Sequence, residues 1–145
     1  MKTYIVRSQK DLENLSEILL QQIKNQPVNG AFVVGLSGNL GAGKTTLTQV
    51  LARKLGITDL VKSPTFLLME SYPISLGRFH KLIHIDAYRM EKPEELANLG
   101  FLDLIKDNEN LVVIEWPEKV SAIMPESVFR VNLSFVDENT RKISF

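Results

Sequence analysis

The feature that most constrains the fold of this chain is residues 38–45, which read G-N-L-G-A-G-K-T and complete the pattern G-x-x-x-x-G-K-[ST]. We call these residues the glycine loop. An apolar run at residues 31–37 precedes the loop, and apolar residues at helical spacing follow it in residues 46–55. In this context backbone N–H groups and a helix dipole converge on phosphate groups. The sequence therefore predicts a strand, a loop and a helix around a nucleoside triphosphate site.

The chemistry of a triphosphate predicts a role for each side chain of the loop. Lys44 supplies a positive charge to the β- and γ-phosphates, and the Thr45 hydroxyl is a candidate Mg²⁺ ligand. The predicted nucleotide-binding residues are Asn39, Leu40, Gly41, Ala42, Gly43, Lys44, Thr45 and Thr46. The alternative is a glycine-rich turn that precedes a helix by accident, and the strand and helix on either side weigh against it.

Length and composition predict one globular domain over residues 1–145. Hydrophobic residues make up 44% and charged residues 23% of the chain, as in ordinary folded domains. Lys and Arg number 17, and so do Asp and Glu, which gives a formal net charge of zero. A neutral chain lacks the basic surface with which proteins grip nucleic acid. We therefore expect any contact with RNA to run through a partner.

Other classes are excluded by what the sequence lacks. There is no cysteine, so disulfides and thiolate metal sites are ruled out. The apolar runs are shorter than the roughly 18 residues of a membrane span, and no apolar signal segment follows the first residues. We expect a cytoplasmic protein with no membrane contact.

Two further segments carry acids at the predicted ends of strands. Residues 82–89 predict a strand with His84, Asp86 and Tyr88 on one face, and Asp86 near its carboxyl end is a candidate for the Mg²⁺ shell. A turn or helix cap is the alternative for Asp86, and a buried core residue is the alternative for His84. Residues 111–114 are four consecutive aliphatics typical of a buried strand, and Glu115 follows them.

Glu115 stands where phosphate-loop ATPases place a carboxylate that binds metal or positions water, although a surface acid at a strand end also fits. The ring of Trp116 could either stack on a ligand or fill a hydrophobic edge of the fold. Ser63 and Thr65 flank a proline after the first helix. They fit either a switch that senses the γ-phosphate or a turn with local hydroxyl bonds.

The rest of the chain completes the predicted fold. Residues 12–23 predict an amphipathic helix that begins after a capping pattern at residues 8–11. Residues 73–78, with proline, serine and glycine, predict an exposed loop. Alternation in residues 128–135, followed by a polar turn and residues 141–145, predicts a C-terminal β-hairpin. The fold class is α/β, a P-loop NTPase-like single domain with a mostly parallel sheet flanked by helices.

The base-reading and switch strings of GTPases, Asn-Lys-x-Asp and Asp-x-x-Gly, do not occur in this chain. Its six arginines are scattered, without the cluster that a kinase lid requires. A small-molecule kinase and a nucleotide-responsive binding module that does not hydrolyse ATP nevertheless stay open as alternatives to an ATPase.

Five blocks in series resemble the bacterial TsaE (YjeE) family. They are the glycine loop with Thr46, Ser63-Pro64-Thr65-Phe66, His84-Ile85-Asp86-Ala87-Tyr88-Arg89, Glu94-Glu95-Leu96 and Glu115-Trp116-Pro117-Glu118-Lys119. The resemblance implies a small, Mg²⁺-dependent ATPase that is needed for threonylcarbamoylation of the adenosine beside the anticodon in tRNAs reading codons that start with A. It also implies TsaB and TsaD as partners, with the transfer itself assigned to TsaD.

The resemblance implies a role for each matching residue. Lys44 and Thr45 are assigned to phosphate and Mg²⁺, Asp86 to the metal shell and Glu115 to hydrolysis. Thr65 becomes a residue that faces nucleotide or partner, and Ser63, His84 and Trp116 join it as switch or partner-facing candidates. Asn39 departs from the family, which usually has an acid there. We expect its side chain to point to solvent.

Overall fold

The computed structural model describes residues 1–27, 29–58 and 68–145 of the chain. Within those ranges the strands are β1 (Thr3–Val6), β2 (Phe32–Ser37), β3 (Met69–Leu76), β4 (Phe79–Asp86), β5 (Asn110–Glu115), β6 (Phe129–Asp137) and β7 (Thr140–Ser144). The helices are α1 (Gln9–Lys24), α2 (Lys44–Lys54), α3 (Pro93–Ala97) and α4 (Phe101–Leu104), and Pro117–Ile123 forms a 3-10 segment.

The seven strands form one mixed sheet in the order β1-β7-β6-β2-β5-β4-β3. The four central strands β6, β2, β5 and β4 are mutually parallel, whereas β1, β7 and β3 pair antiparallel with their neighbours. The predicted parallel pairing therefore holds for the four central strands, and the sheet is antiparallel at both edges, one of which contains the predicted hairpin. Strands joined by short turns, as β3 is to β4 and β6 is to β7, can only pair antiparallel.

Helices cover both faces of the sheet and bury its apolar residues. One core packs α1 and α2 against the sheet through residues such as Leu19, Leu47 and Val34. The other packs α3, α4 and the 3-10 segment against the opposite face, with Phe101 and Ile114 at its centre. The α/β class and the flanking helices are confirmed. Among the helices of the described ranges, none is long and apolar enough to cross a membrane.

Two local predictions fail at the edge strand. Residues 73–78 form the second half of β3 and the following turn, not an exposed loop. β3 lies at the edge of the sheet, where the missing N–H of Pro73 costs no ladder bond, and a shift in register follows it. In addition, β4 ends at Asp86, so Tyr88 lies in a turn and does not share a strand face with His84.

Other local predictions are confirmed. Ser8 caps α1 by accepting a hydrogen bond from the backbone N–H of Asp11 at 3.1 Å, as the capping pattern predicts. The C-terminal hairpin exists as β6 and β7. β7 in turn pairs with β1, so the two ends of the chain meet in the sheet, where Tyr4 stacks on Phe145.

Candidate functional site

Three neighbouring parallel strands end together at one edge of the sheet. β2 ends at Ser37, β4 at Asp86 and β5 at Glu115. Asp86 and Glu115 are register partners across β4 and β5, and Leu36 of β2 is the partner of Glu115 on its other side. The strand register thus brings the two predicted carboxylates to the carboxyl edge, beside the glycine loop.

The glycine loop depends on glycine at two positions for different reasons. At Gly38 a side chain would collide with the carbonyl oxygen of Leu133, because β6 runs directly beneath the loop. At Gly43, the residue before α2, φ is +103°, a conformation that L side chains rarely adopt. The loop can therefore stay close to the sheet and still turn sharply into the helix.

Lys44 is folded back over the glycine loop. Its ammonium group donates to the carbonyl oxygens of Gly38 at 2.5 Å and Asn39 at 2.9 Å, and lies 4.2 Å from the ring centroid of Trp116. Burial lowers the pKa of Lys44, and the nearby carboxylates, that of Glu115 first, oppose this shift. The loop thus holds a buried positive charge against neutral partners that an anion could replace.

Glu115 is the residue on which the contacts of the site converge. The Thr45 hydroxyl lies 2.8 Å from one carboxylate oxygen and 3.1 Å from the other. The second oxygen also lies 2.6 Å from Nε2 of His84, whose side chain is fully buried. Glu115 itself is buried, and its carboxylate lies between Thr45 of α2 on one side and His84 of β4 on the other.

Trp116 has an unusual backbone. Its φ of 60° and ψ of 50° place it in the left-handed region, where it stands alone among the described non-glycine residues. A hydrogen bond from its N–H to the carbonyl of Leu36 and the following Pro117 fix this geometry. The ring lies against Lys44 and 5.0 Å from the ring of Tyr88. Such strain is typical of functional sites, and here it aims the indole at the loop lysine.

A cavity of about 650 Å³ opens above these residues. Of the predicted nucleotide-binding residues, Leu40, Gly41, Ala42, Gly43, Lys44, Thr45 and Thr46 line it. Asp86, Glu115 and Trp116 line it as well, so the structure brings the predicted loop and carboxylates together. Asn39 is exposed, and only its carbonyl takes part, as an acceptor for Lys44.

The remaining predicted residues have different outcomes. Ser63 and Thr65 lie outside the described residues. His84 is fully buried and faces Glu115, and its assignment as a switch or partner-facing residue stays a prediction. Asp86 is partly exposed and accepts a hydrogen bond from the N–H of Tyr88 at 3.0 Å.

Sequence reasoning missed the far wall of the cavity. Arg7, Ser8 and Gln9 at the start of α1 and Glu138, Asn139 and Arg141 of the hairpin line it. These residues come from the two ends of the chain, which meet because β1 pairs with β7. No local motif marks them, since only the order of strands brings them to the site.

The side chains suit a hard metal ion that is shared with a ligand. In the described ranges no group of three or more His, Cys, Asp or Glu side chains is placed to hold a metal. Beside the glycine loop the cavity instead offers the hydroxyl of Thr45 and the carboxylates of Asp86 and Glu115, and Glu138 lies on the far wall. Oxygen donors in such small number fit Mg²⁺, which keeps waters and takes substrate phosphates as its other ligands.

Fold and site together define a class: α/β proteins in which a glycine loop joins a central parallel strand to a helix and faces carboxylates at the ends of neighbouring strands. Within that class, residues 6–143 match the family model described as "Threonylcarbamoyl adenosine biosynthesis protein TsaE". The chain belongs to this family, which confirms the resemblance in the sequence.

Individual relatives agree with the family match. A protein from Haemophilus influenzae is 42% identical over 108 residues, covering 74% of this chain and 66% of its own length, just under two thirds. One from Rickettsia felis is 33% identical over 141 residues, covering 97% of this chain and 77% of its own. Both bear the name tRNA threonylcarbamoyladenosine biosynthesis protein TsaE.

The fold has a counterpart among solved structures. The crystal structure of YdiB from Bacillus subtilis matches with a TM-score of 0.72 over 98% of this chain and 82% of that chain. At 23% sequence identity this similarity shows the fold alone.

Proposed function

We propose that this chain binds ATP with Mg²⁺ in the cavity over the glycine loop and hydrolyses it, in the cytoplasm, as an accessory ATPase of tRNA threonylcarbamoyladenosine formation. In this proposal the fold is that of a P-loop NTPase, and the glycine loop is its phosphate-binding loop. Family membership supports the pathway. The observation that carries the ATPase proposal is the contact of the Thr45 hydroxyl with the Glu115 carboxylate beside Lys44.

Thr45 can donate only one proton, and Glu115 accepts it. The lone pairs of the Thr45 oxygen are then left for a cation. The residues that would hold Mg²⁺ are Thr45, Asp86 and Glu115, directly or through water. Bound Mg²⁺ would neutralise charge on the phosphate oxygens.

Lys44 would change partners when a nucleotide binds. Its ammonium now rests on the carbonyls of Gly38 and Asn39, which are neutral acceptors. The β- and γ-phosphates carry full negative charge and make stronger, charge-assisted hydrogen bonds with a lysine. A lysine that is already largely buried gains more from such an exchange, because it has less hydration to give up.

The chemistry would be transfer of the γ-phosphoryl group to water, with cleavage of the bond to the bridging oxygen. The residues act by position and charge, since the loop amides and Lys44 stabilise the charge that develops on the phosphate oxygens. Glu115, held by Thr45 and His84, has the fixed orientation that a water-positioning carboxylate requires. Asp86 faces the same cavity and completes the oxygen donors.

The partners in this proposal are TsaB and TsaD, with tRNA held by that assembly and not by this chain. The zero net charge supports an indirect contact with RNA. Hydrolysis of ATP on the docked ATPase would reset the assembly between turnovers, while the transfer step stays with TsaD.

The test is steady-state ATP turnover by this chain alone and with the TsaB–TsaD pair, with Lys44→Ala as the blank. We expect turnover that rises with the partners and vanishes in the blank. Negligible turnover in both conditions, with nucleotide still bound, would replace the proposal by a binding module that does not hydrolyse ATP. A phosphorylated metabolite formed from labelled ATP would replace it by a kinase.

A further inference from the structure

We infer that His84 is a positioning residue: it orients the Glu115 carboxylate for the reaction from the side of the buried core and does not touch the nucleotide. This inference rests on the proposed ATPase function and deepens it. His84 lies on β4 two residues before Asp86, and its side chain points to the same face of the sheet. It reaches Glu115 across to the neighbouring strand β5, at 2.6 Å.

The inference gives the hydrogen bond between the two side chains a direction. In it Nε2 of His84 carries the proton and donates it, and the carboxylate oxygen of Glu115 accepts it. The oxygen that accepts it is also 3.1 Å from the Thr45 hydroxyl. His84, Glu115 and Thr45 thus form a chain that runs from the core to the loop. If His84 is removed, the carboxylate keeps its contact with Thr45 and loses its contact on the core side.

The burial of His84 makes a purely structural role a poor explanation. The side chain has no exposed surface, and Nδ1 finds no hydrogen-bond partner among the described residues. A buried polar atom without a partner costs free energy. Leu82, two residues earlier and on the same face of β4, is a buried aliphatic residue that carries no such cost. The contact of Nε2 with the Glu115 carboxylate explains why a histidine stands at this position.

The chain contains a matched control. It has only two histidines, and His80 lies on the same strand, four residues earlier. His80 also faces a glutamate, Glu109, but at 3.9 Å and with both side chains largely exposed. The two pairs share residue types and strand and differ in burial and distance from the site. Substitutions at His80 therefore report the effect of losing a strand histidine without disturbing Glu115.

The kinetic test compares His84→Leu, which removes the donor, with His84→Gln, whose amide can donate from a similar position. Nucleotide affinity is measured by the fluorescence of Trp116, the single tryptophan, and kcat is measured with the TsaB–TsaD pair. We expect His84→Leu to lose about 10- to 100-fold in kcat, the usual effect of removing a residue that orients a ligand group. Affinity should be unchanged, His84→Gln should recover most of kcat, and His80→Leu should match the wild type.

A second readout does not depend on turnover. With two histidines, a long-range ¹H–¹⁵N spectrum resolves both rings, and His80→Gln assigns them. We expect a proton on Nε2 of His84, shifted downfield by the short bond to Glu115 and lost from that position in Glu115→Ala. A bare Nε2, with the proton on Nδ1, would overturn the inference even if His84→Leu fails to fold.

The two proposals fail in different ways. Wild-type turnover no higher than that of Lys44→Ala would end the ATPase proposal and, with it, the positioning role. Normal turnover in the wild type together with normal kcat in a folded His84→Leu would end the positioning role alone. A folded His84→Gln as slow as His84→Leu would also end it, because a donor at that position would then not be what matters.

Discussion

Individual residues of the site differ in exposure. Glu115 is buried and contacts Thr45 and His84 through its two oxygens, whereas Asp86, its partner in the strand register, is partly exposed. The carboxyl ends of these two strands therefore present one buried and one more accessible carboxylate. The buried carboxylate suits orientation of a reacting water, and the accessible one suits contact with a hydrated cation.

At the same scale, we predict that Glu115→Gln keeps nucleotide binding and loses hydrolysis. Glutamine retains an acceptor for Thr45 and nearly the same volume, but it removes the negative charge that orients and accepts from water. We expect kcat to fall by about 10²-fold or more, with the fluorescence titration of Trp116 unchanged. Glu109→Gln, on the exposed histidine pair, is the control. A collapse of ATP affinity in Glu115→Gln would make Glu115 a binding or structural residue instead.

Some of these residues could be predicted from the sequence and some could not. The loop pattern located Lys44 and Thr45, and the four aliphatics at residues 111–114 placed Glu115 at a strand end. The contact of Glu115 with His84 could not be predicted in the same way. Alternation along a strand assigns a face but not a depth, and which residue lies opposite depends on register between strands distant in sequence. The left-handed backbone of Trp116 had no signal in its residue type.

Among the elements, the short helix α3 depends on its first turn. Its five residues are too few to be stable alone, and the Glu95 carboxylate accepts from the backbone N–H groups of Glu91 at 2.6 Å and Lys92 at 3.0 Å. These two hydrogen bonds lower the pKa of Glu95, and the bond from Lys92 contributes more than the bond from Glu91. α3 also packs Leu96 into the core on the face of the sheet opposite α1 and α2.

We therefore predict that Glu95→Gln lowers the thermal midpoint slightly at neutral pH and that this difference disappears in acid. A carboxyl group whose folded pKa is depressed stabilises the fold above its unfolded pKa, and this stabilisation is lost as the pH falls through the folded value. The difference between wild type and variant should thus shrink below the ordinary value of 4.5. Glu94→Gln, with the same charge change on the same turn, is the control. A difference that persists unchanged in acid would contradict the capping role.

The edge elements show where pattern reading stops. Pro73 and Gly77 are turn residues by type, and the sequence predicts a loop where the structure has the second half of β3. Proline is tolerated in β3 because this strand lies at the edge of the sheet. The residues of β3 alone do not reveal that position. The hairpin of β6 and β7 was predictable because its turn and its alternation are local.

For the whole molecule, the site is assembled from parts of the chain that are far apart in sequence. The glycine loop and the strand ends form one wall of the cavity, and the start of α1 and the C-terminal hairpin form the other. That second wall exists because β1 pairs with β7 and β6 with β2. A ligand that touches both walls binds only the folded chain, so its binding free energy adds to the free energy of unfolding.

Accordingly, we predict that Mg²⁺ and ATP together raise the thermal midpoint. At about 100 times Kd, a ligand specific for the folded state adds about 2.7 kcal/mol, which corresponds to about 5–10 °C for a domain near this size. The measurement is a thermal melt with ATP and Mg²⁺, with ATP and EDTA, and with neither. EDTA should remove part of the gain, because Thr45 and Asp86 then have no cation to share with the phosphates. Lys44→Ala should lose nearly all of it, whereas an equal gain in wild type and Lys44→Ala would place the nucleotide away from the glycine loop.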